Sequence, residues 1–334
     1  MRAPIFLLGM PRSGTTWVAK VFDSHPDVSY RHEGDTEFDL HLELPLYPEL
    51  DEAEEFAPVL KRFVEDKLAR HCSVRTCGKR PLFPKTGDHA LSSPIRELRM
   101  NVSRVMERVI GKPSVWRTKL GDRRLVWKSV ESPARLGLFL KVYPEARGIF
   151  ILRDPCGYVA SVLRGEKKMK FSGSQSMAEN ETVFRRILET PYAQSKGITL
   201  EDVFMMGKEA RLGLFWALLN QKTAEDLKQL KNGKIIRYED LCRNPMGNYK
   251  QLFEYCGLNW NPQTDAFVAS SISSEDESYY SVFKDPEKAA YKWKEELYPS
   301  QIEAIHEAAR EHAIGRAYLG EGETDLDDLF FKPV

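Results

Sequence analysis

The run Ile5-Phe6-Leu7-Leu8, followed at once by Gly9-Met10-Pro11-Arg12-Ser13-Gly14-Thr15-Thr16-Trp17, constrains this chain more than any other segment. Consecutive apolar residues leave no polar face, which is the pattern of a strand buried on both sides of a parallel sheet. The glycines then permit a tight turn, and the stretch from Thr16 to Phe22 has helical character, so the order is strand, loop, helix. Such a loop is suited to an anion. Successive backbone N–H groups point inward and the helix N-terminus adds its dipole, while Ser13, Thr15 and Thr16 offer hydroxyl donors. A glycine-containing turn that binds nothing is the competing reading.

The frame G-x-x-x-x-G is that of a Walker A loop, yet Thr15 stands where a nucleoside-triphosphate enzyme keeps its lysine. The fixed positive charge is Arg12, inside the loop. Apolar runs recur at residues 4–9 (PIFLLG), 124–129 (RLVWKS), 147–152 (RGIFIL) and 234–238 (KIIRY), each followed by a helical pattern. This alternation predicts an α/β fold: a P-loop-type parallel sheet flanked by helices. Between the first two runs, Ile95, Leu98, Val102, Val105 and Val109 have the spacing of an amphipathic helix. They predict a helical insertion over about 40–120, packed on one end of the sheet. Residues 166–200 open as a polar, Gly/Ser-bearing stretch, read as a lid loop. The whole of 1–334 reads as a single catalytic domain.

Lys+Arg 49 against Asp+Glu 49 gives no net charge, which argues against nucleic acid as the main partner. Any anion site must be local. No run approaches the roughly 20 apolar residues that span a bilayer, so no membrane span is expected and the chain reads as cytoplasmic. Five cysteines without paired metal-type spacing predict neither a disulfide framework nor a structural zinc site.

A second constellation is Leu152-Arg153-Asp154-Pro155. Asp154 suits an N-cap and Pro155 the first helical position, so Arg153 falls at the carboxyl end of a strand, where open α/β sheets bind ligands. Ser161 lies two helical turns beyond Asp154 and is able to share a phosphate with Arg153. Taken singly, an Arg paired with a nearby acid and a solvent-facing Ser are the better descriptions of these residues.

The loop PRSGTTW after a strand, the RDP turn with Arg153 and Ser161 eight positions apart, and KIIRYEDLCRNP leading to Cys256-Gly257-Leu258 together resemble the sulfotransferases that use 3′-phosphoadenosine 5′-phosphosulfate (PAPS). Ala290-Tyr291-Lys292-Trp293-Lys294 looks like the basic segment that closes over the nucleotide in that family. The resemblance implies that Arg12, Ser13, Gly14, Thr15 and Thr16 bind the 5′-phosphosulfate, with Arg153 and Ser161 on the 3′-phosphate. It also implies that Tyr238 lies near the adenine, where a strand-end Tyr is the alternative, and that Lys292 is the late basic residue, with a surface Lys as alternative. Arg12, where many members have Lys, would stabilise charge on the bridging oxygen as the sulfuryl group leaves.

The base is less direct. Lys128 is kept in RLVWKS, but Val130 stands where many cytosolic members carry a His. The resemblance to carbohydrate- and protein-modifying members implies Glu33 instead, acting with a modest upward pKa shift, with His32 as rival. Lys128 would sit by the sulfuryl oxygens. The implied reaction is in-line transfer from PAPS to a hydroxyl or amine of a small-molecule, carbohydrate or peptide acceptor, releasing 3′,5′-phosphoadenosine, with no metal. An ATP/Mg-dependent P-loop kinase and a non-catalytic nucleotide-binding module are the alternatives. Acceptor identity and oligomeric state are not encoded in these motifs.

Overall fold

The computed structural model describes residues 1–35, 42–88, 92–111, 115–167, 176–273 and 285–334. Five strands form one parallel sheet: β1 (Ile5–Leu8), β2 (Val28–His32), β5 (Arg124–Ser129), β6 (Arg147–Leu152) and β7 (Gly233–Arg237), in the order β2-β5-β1-β6-β7. Two short strands, β3 (His71–Ser73) and β4 (Val115–Arg117), pair antiparallel apart from it. With helices packed on the parallel sheet, this is the P-loop-type α/β fold that the alternation of runs predicts.

Side-chain alternation divides the core. Phe6, Leu8, Trp127 and Phe150 point to one face, where they meet Phe63 and Phe139; Ile5, Leu7, Val126 and Ile149 point to the other, where they meet Phe22, Tyr249 and Phe253. Every residue of β1 is fully buried, which is why its sequence has no polar position.

Four strands match the apolar runs within a residue or two at each end. The fifth, β2, was not expected: VSYRH alternates apolar and polar residues but has no continuous apolar run like the other four. Its Arg31 is buried, with Nε donating to Leu68 O (2.7 Å) and Nη1 to Ser29 Oγ (3.0 Å) and Tyr30 O (2.9 Å), while Nη2 has no partner; these carbonyl and hydroxyl acceptors let a charged residue sit in an edge strand. Both edges of the sheet are accompanied. The Val74–Cys77 helix packs beside β2, whose Arg31 also reaches Leu68 O, and Phe331 N donates to Ile235 O of β7 at 2.7 Å.

The insertion departs from expectation in three ways. The Ser92–Ile110 helix forms, but Ile95, Leu98, Val102, Val105 and Val109 face solvent rather than the sheet. Its polar face is the one that packs: Met100 and Ser103 are buried, Arg104 donates to Gly78 O (2.6 Å) and Arg96 to Phe83 O (2.7 Å). Secondly, Cys72 and Cys77 are joined by a disulfide, where none was expected; the bridge closes a local turn between β3 and the Val74–Cys77 helix. Cys156, Cys242 and Cys256 are free and buried. Thirdly, the segment after the bridge is stapled to α1 (Thr15–Ser24): Lys20 pairs with Asp23 and donates to Lys79 O (3.0 Å), and Lys85 reaches the same Asp23 (3.0 Å).

Of the expected lid, residues 168–175 lie outside the described residues. The remainder is not a loop, since Glu181–Leu188 and Pro191–Ser195 are helices packed on the Lys208–Lys228 helix.

Candidate active site

The loop joining β1 to α1 lies at the carboxyl edge of the sheet, where open α/β sheets bind ligands. Close approach dictates its glycines. A Cβ on Gly9 would stand 2.5 Å from Ile151 O, and one on Gly14 (φ 81) would stand 2.2 Å from the Tyr238 ring. Ser13 N closes the turn on Met10 O at 3.2 Å, and Trp17 N begins α1 by donating to Gly14 O at 3.0 Å. Ser13 and Thr15 are buried, while Thr16 is partly open. Among the described residues only two non-glycine residues adopt positive φ, Arg12 (74) and Glu33 (45). Such conformations collect at functional sites.

Arg12 draws the two motifs together. Its Nε donates to Ser161 Oγ at 2.9 Å, and its carbonyl accepts from Arg153 Nη1 at 2.8 Å. Arg153, directly after β6, also donates Nη2 to Ala289 O (2.8 Å), and its guanidinium stands 5.2 Å from the Tyr238 ring centre. Arg153 Nε is buried with no hydrogen-bond partner. Tyr238 is itself buried between Gly14, Arg153 and Trp17, wedged under the loop. Lys292 stands three residues beyond Ala289, half-exposed, with Nζ 3.8 Å from Glu296.

Asp154 starts the Pro155–Lys167 helix as expected: its Oδ1 accepts from Cys156 N (2.8 Å) and Gly157 N (3.2 Å). Asp154, Cys156 and His306 bring possible ligand atoms within 4.8 Å of one another. The Asp154 oxygen is occupied by the cap, however, and burial keeps the Cys156 thiol protonated, 3.3 Å from His306 Nε2. Beneath Asp154, Glu239 accepts from Asp154 N (3.2 Å) and from Tyr318 OH. Burial, reinforced by the Asp154 carboxylate, pushes Glu239 up from 4.5 to about 7. The folded chain therefore holds a proton that the unfolded chain releases. Stability from this group is fullest below the unfolded value and declines as pH rises toward 7. The melting temperature should fall between about pH 4.5 and 7, and Glu239→Gln should remove a slope worth on the order of 3 kcal/mol across that window. Equal slopes in both proteins would contradict this.

Across the sheet, Glu33 follows β2 and Lys128 lies in β5, opposite His32 in the register. Glu33 N donates to Lys128 O at 2.7 Å, the Lys128 ammonium pairs with the Glu33 carboxylate, and His32 Nε2 stands 3.7 Å from the same oxygen. Burial raises the Glu33 pKa, but Lys128 and His32 more than reverse this, leaving it below the ordinary value. The upward shift expected from the sequence is thus a downward one, because the expectation did not include a buried ammonium in contact. Burial and Lys128 hold His32 down to about 3, so its imidazole is neutral, with Nδ1 2.7 Å from Tyr30 OH. Burial lowers Lys128 as well, against the pull of Glu33.

Two neighbours were missed from sequence. Lys79, from the insertion, is close enough to depress the pKa values of His32, Glu33 and Lys128. Asp35 is buried and accepts from Ser129 and Ser132 Oγ, both at 2.6 Å, fixing the turn after β5. The Ser-x-x-Ser spacing was the available signal for Asp35; nothing local marked Lys79. A separate cleft of about 1180 Å³ at the opposite, amino edge of the sheet is lined by Arg70, Lys119 and Tyr143, and none of the converging residues reaches it.

Solved structures similar to this chain include the sulfotransferase domain from the curacin biosynthetic pathway (18% identity, covering 92% of this chain and 97% of that one, TM-score 0.44). Others are a sulfotransferase from Alicyclobacillus acidocaldarius (13%, 97% and 98%, 0.43) and mouse sulfotransferase SULT7A1 complexed with PAP (16%, 96% and 89%, 0.42). Likeness at this level carries no argument. No curated protein matches. The sulfotransferase family profile, however, matches residues 4–262, a span that takes in the glycine loop, Glu33, Lys128, Arg153, Ser161 and Tyr238, and by that match the chain belongs to the sulfotransferase family.

Proposed function

We propose that this sulfotransferase takes its sulfuryl group from PAPS and passes it in line to a hydroxyl or amine of a small-molecule, carbohydrate or peptide acceptor, releasing 3′,5′-phosphoadenosine. The observation that carries the reading is Arg12, which holds Arg153 through its carbonyl and Ser161 through its side chain. Cationic donors thereby converge from two motifs at the carboxyl edge of the sheet, and the orphaned, buried Arg153 Nε suits an anion. The loop amides and Arg12 hold the phosphosulfate and oppose charge on its bridging oxygen, Arg153 and Ser161 hold the 3′-phosphate, and Lys128 lies beside the transferring group. Glu33 accepts the acceptor proton. Lys292 is assigned to the outer wall of the nucleotide site.

Thermal shift separates donor classes. At a hundred times its dissociation constant, 3′,5′-phosphoadenosine should stabilise by about 2.7 kcal/mol, whereas ATP with Mg²⁺ should do little. Transfer should also persist in excess EDTA. Stabilisation by ATP alone, with activity that needs Mg²⁺, would favour the kinase alternative.

Arg153→Ala should weaken 3′,5′-phosphoadenosine by one or two charge-assisted hydrogen bonds, about 1.5–3 kcal/mol each. Adenosine 5′-phosphosulfate, which lacks the 3′-phosphate, should be little affected. Equal losses in calorimetry would move Arg153 off that phosphate.

A further inference from the structure

Of the eleven large apolar side chains exposed among the described residues, seven belong to the Ser92–Ile110 helix, so this surface is a concentrated feature. Ile95, Leu98, Val102, Val105 and Val109 are 52–78% exposed. Their intervals of three and four make a strict heptad seam, with β-branched residues at 95, 102 and 109 and residues 98 and 105 between them. Isoleucine or valine at the first position, with leucine at the second, is the choice that favours two-stranded pairing.

The opposite face is committed to the domain. Arg96 is held by Phe83 O and Asp88, Arg104 by Gly78 O, Glu107 by Arg75, and Asn101 accepts from Arg80 at 2.8 Å. The helix therefore has no freedom to roll its seam inward. Flanking the seam are Arg99, which lies over Trp116, and Arg108 nine residues on, with the uncharged Asn101 and Met106 between them, so the like charges are set apart rather than in a row. Together with Met106 and Ile110, these residues expose on the order of 800 Å² per copy, an upper bound on what the helix brings to an interface whose standard share per side is about that size.

We infer that this helix pairs with the same helix of a second copy, giving a two-fold symmetric dimer. The pairing bears on the site. The residues held by the helix's polar face, Arg75, Gly78, Arg80 and Phe83, bracket Lys79, so the dimer braces the segment that brings Lys79 toward Glu33.

Sedimentation velocity on the full chain, from about 1 to 100 μM, tests this. The unaltered protein should approach twice 38.4 kDa. Val102→Glu, placed mid-seam at an exposed position, should sediment as a monomer with an unchanged melting temperature, and Leu98→Gln with Val105→Gln should behave alike. A monomer at every concentration would overturn the inference. So would a dimer that survives both sets of changes. Flotation of the chain with neutral phosphatidylcholine vesicles, while it stays monomeric in their absence, would assign the seam to lipid instead.

Discussion

Glu33→Gln should lower turnover at saturating donor by roughly 10²–10⁴-fold, because it keeps the shape of the side chain and removes its basicity. Affinity for 3′,5′-phosphoadenosine should hardly change. In the donor-free protein the carboxylate is tied to Lys128, and its pKa is depressed despite burial. On the proposed mechanism it becomes a useful base as Lys128 turns to the sulfuryl oxygens, leaving burial to act on a less compensated charge. Lys128→Met tests that sign directly. Removing the cation removes the main opposition to burial, so the acidic limb of the kcat/KM profile, which reports the free enzyme, should move to higher pH. His32→Asn should retain most activity, since its imidazole is already neutral and engaged by Tyr30. A crippled His32→Asn beside a nearly normal Glu33→Gln would exchange the two roles.

Arg12→Ala should cost roughly 10²–10³-fold in kcat, the loss typical when one preorganised donor to a developing oxyanion is removed. Arg12→Lys keeps the charge while giving up the geometry of the Nε contact with Ser161, and should recover part of the rate. Arg12→Gly is the informative control. The backbone at Arg12 has φ 74, a conformation glycine adopts without strain, so the variant should melt no lower than the unaltered protein yet be as slow as Arg12→Ala. Near-normal turnover in the alanine variant would remove Arg12 from the reaction; a parallel fall in melting temperature and rate in the glycine variant would make its role structural.

Four of the five strands of the parallel sheet and the glycine turn after β1 were legible because each is specified locally. A central parallel strand must be apolar throughout, and a cradle for phosphate must combine glycine, donors and a helix start. Arg153 and Ser161 were picked out for the same reason, one directly after β6 and the other in the helix that follows it. What escaped depends on contacts between distant segments. β2 holds a buried arginine in part because Leu68 O, from a distant segment, is there to receive it. The pKa of Glu33 could not be signed without knowing that Lys128 touches it. The periodicity at 95–109 correctly specified a helix, but periodicity says which residues share a face and not which way that face looks. Here the arginines on the other side found carbonyls at Gly78 and Phe83, and those bonds decided the orientation. Lys79 reaches the site through a turn held by Cys72–Cys77 and Lys20, none of which is signalled by its own neighbours in sequence.

A flat sheet with open sides invites other strands to add to it, and a chain this rich in buried β-residues would be exposed to that hazard while folding. The two flanks described above answer it differently. On one side a long excursion of the chain runs beside β2 before returning as β5, and on the other the last few residues lie against β7 through Phe330 and Phe331. The first guard is laid down before β7 is made, the second well after it. A nascent chain thus keeps one side of its sheet unprotected until residues 330–331 emerge, which makes that short strap a determinant of how cleanly the protein reaches its native state.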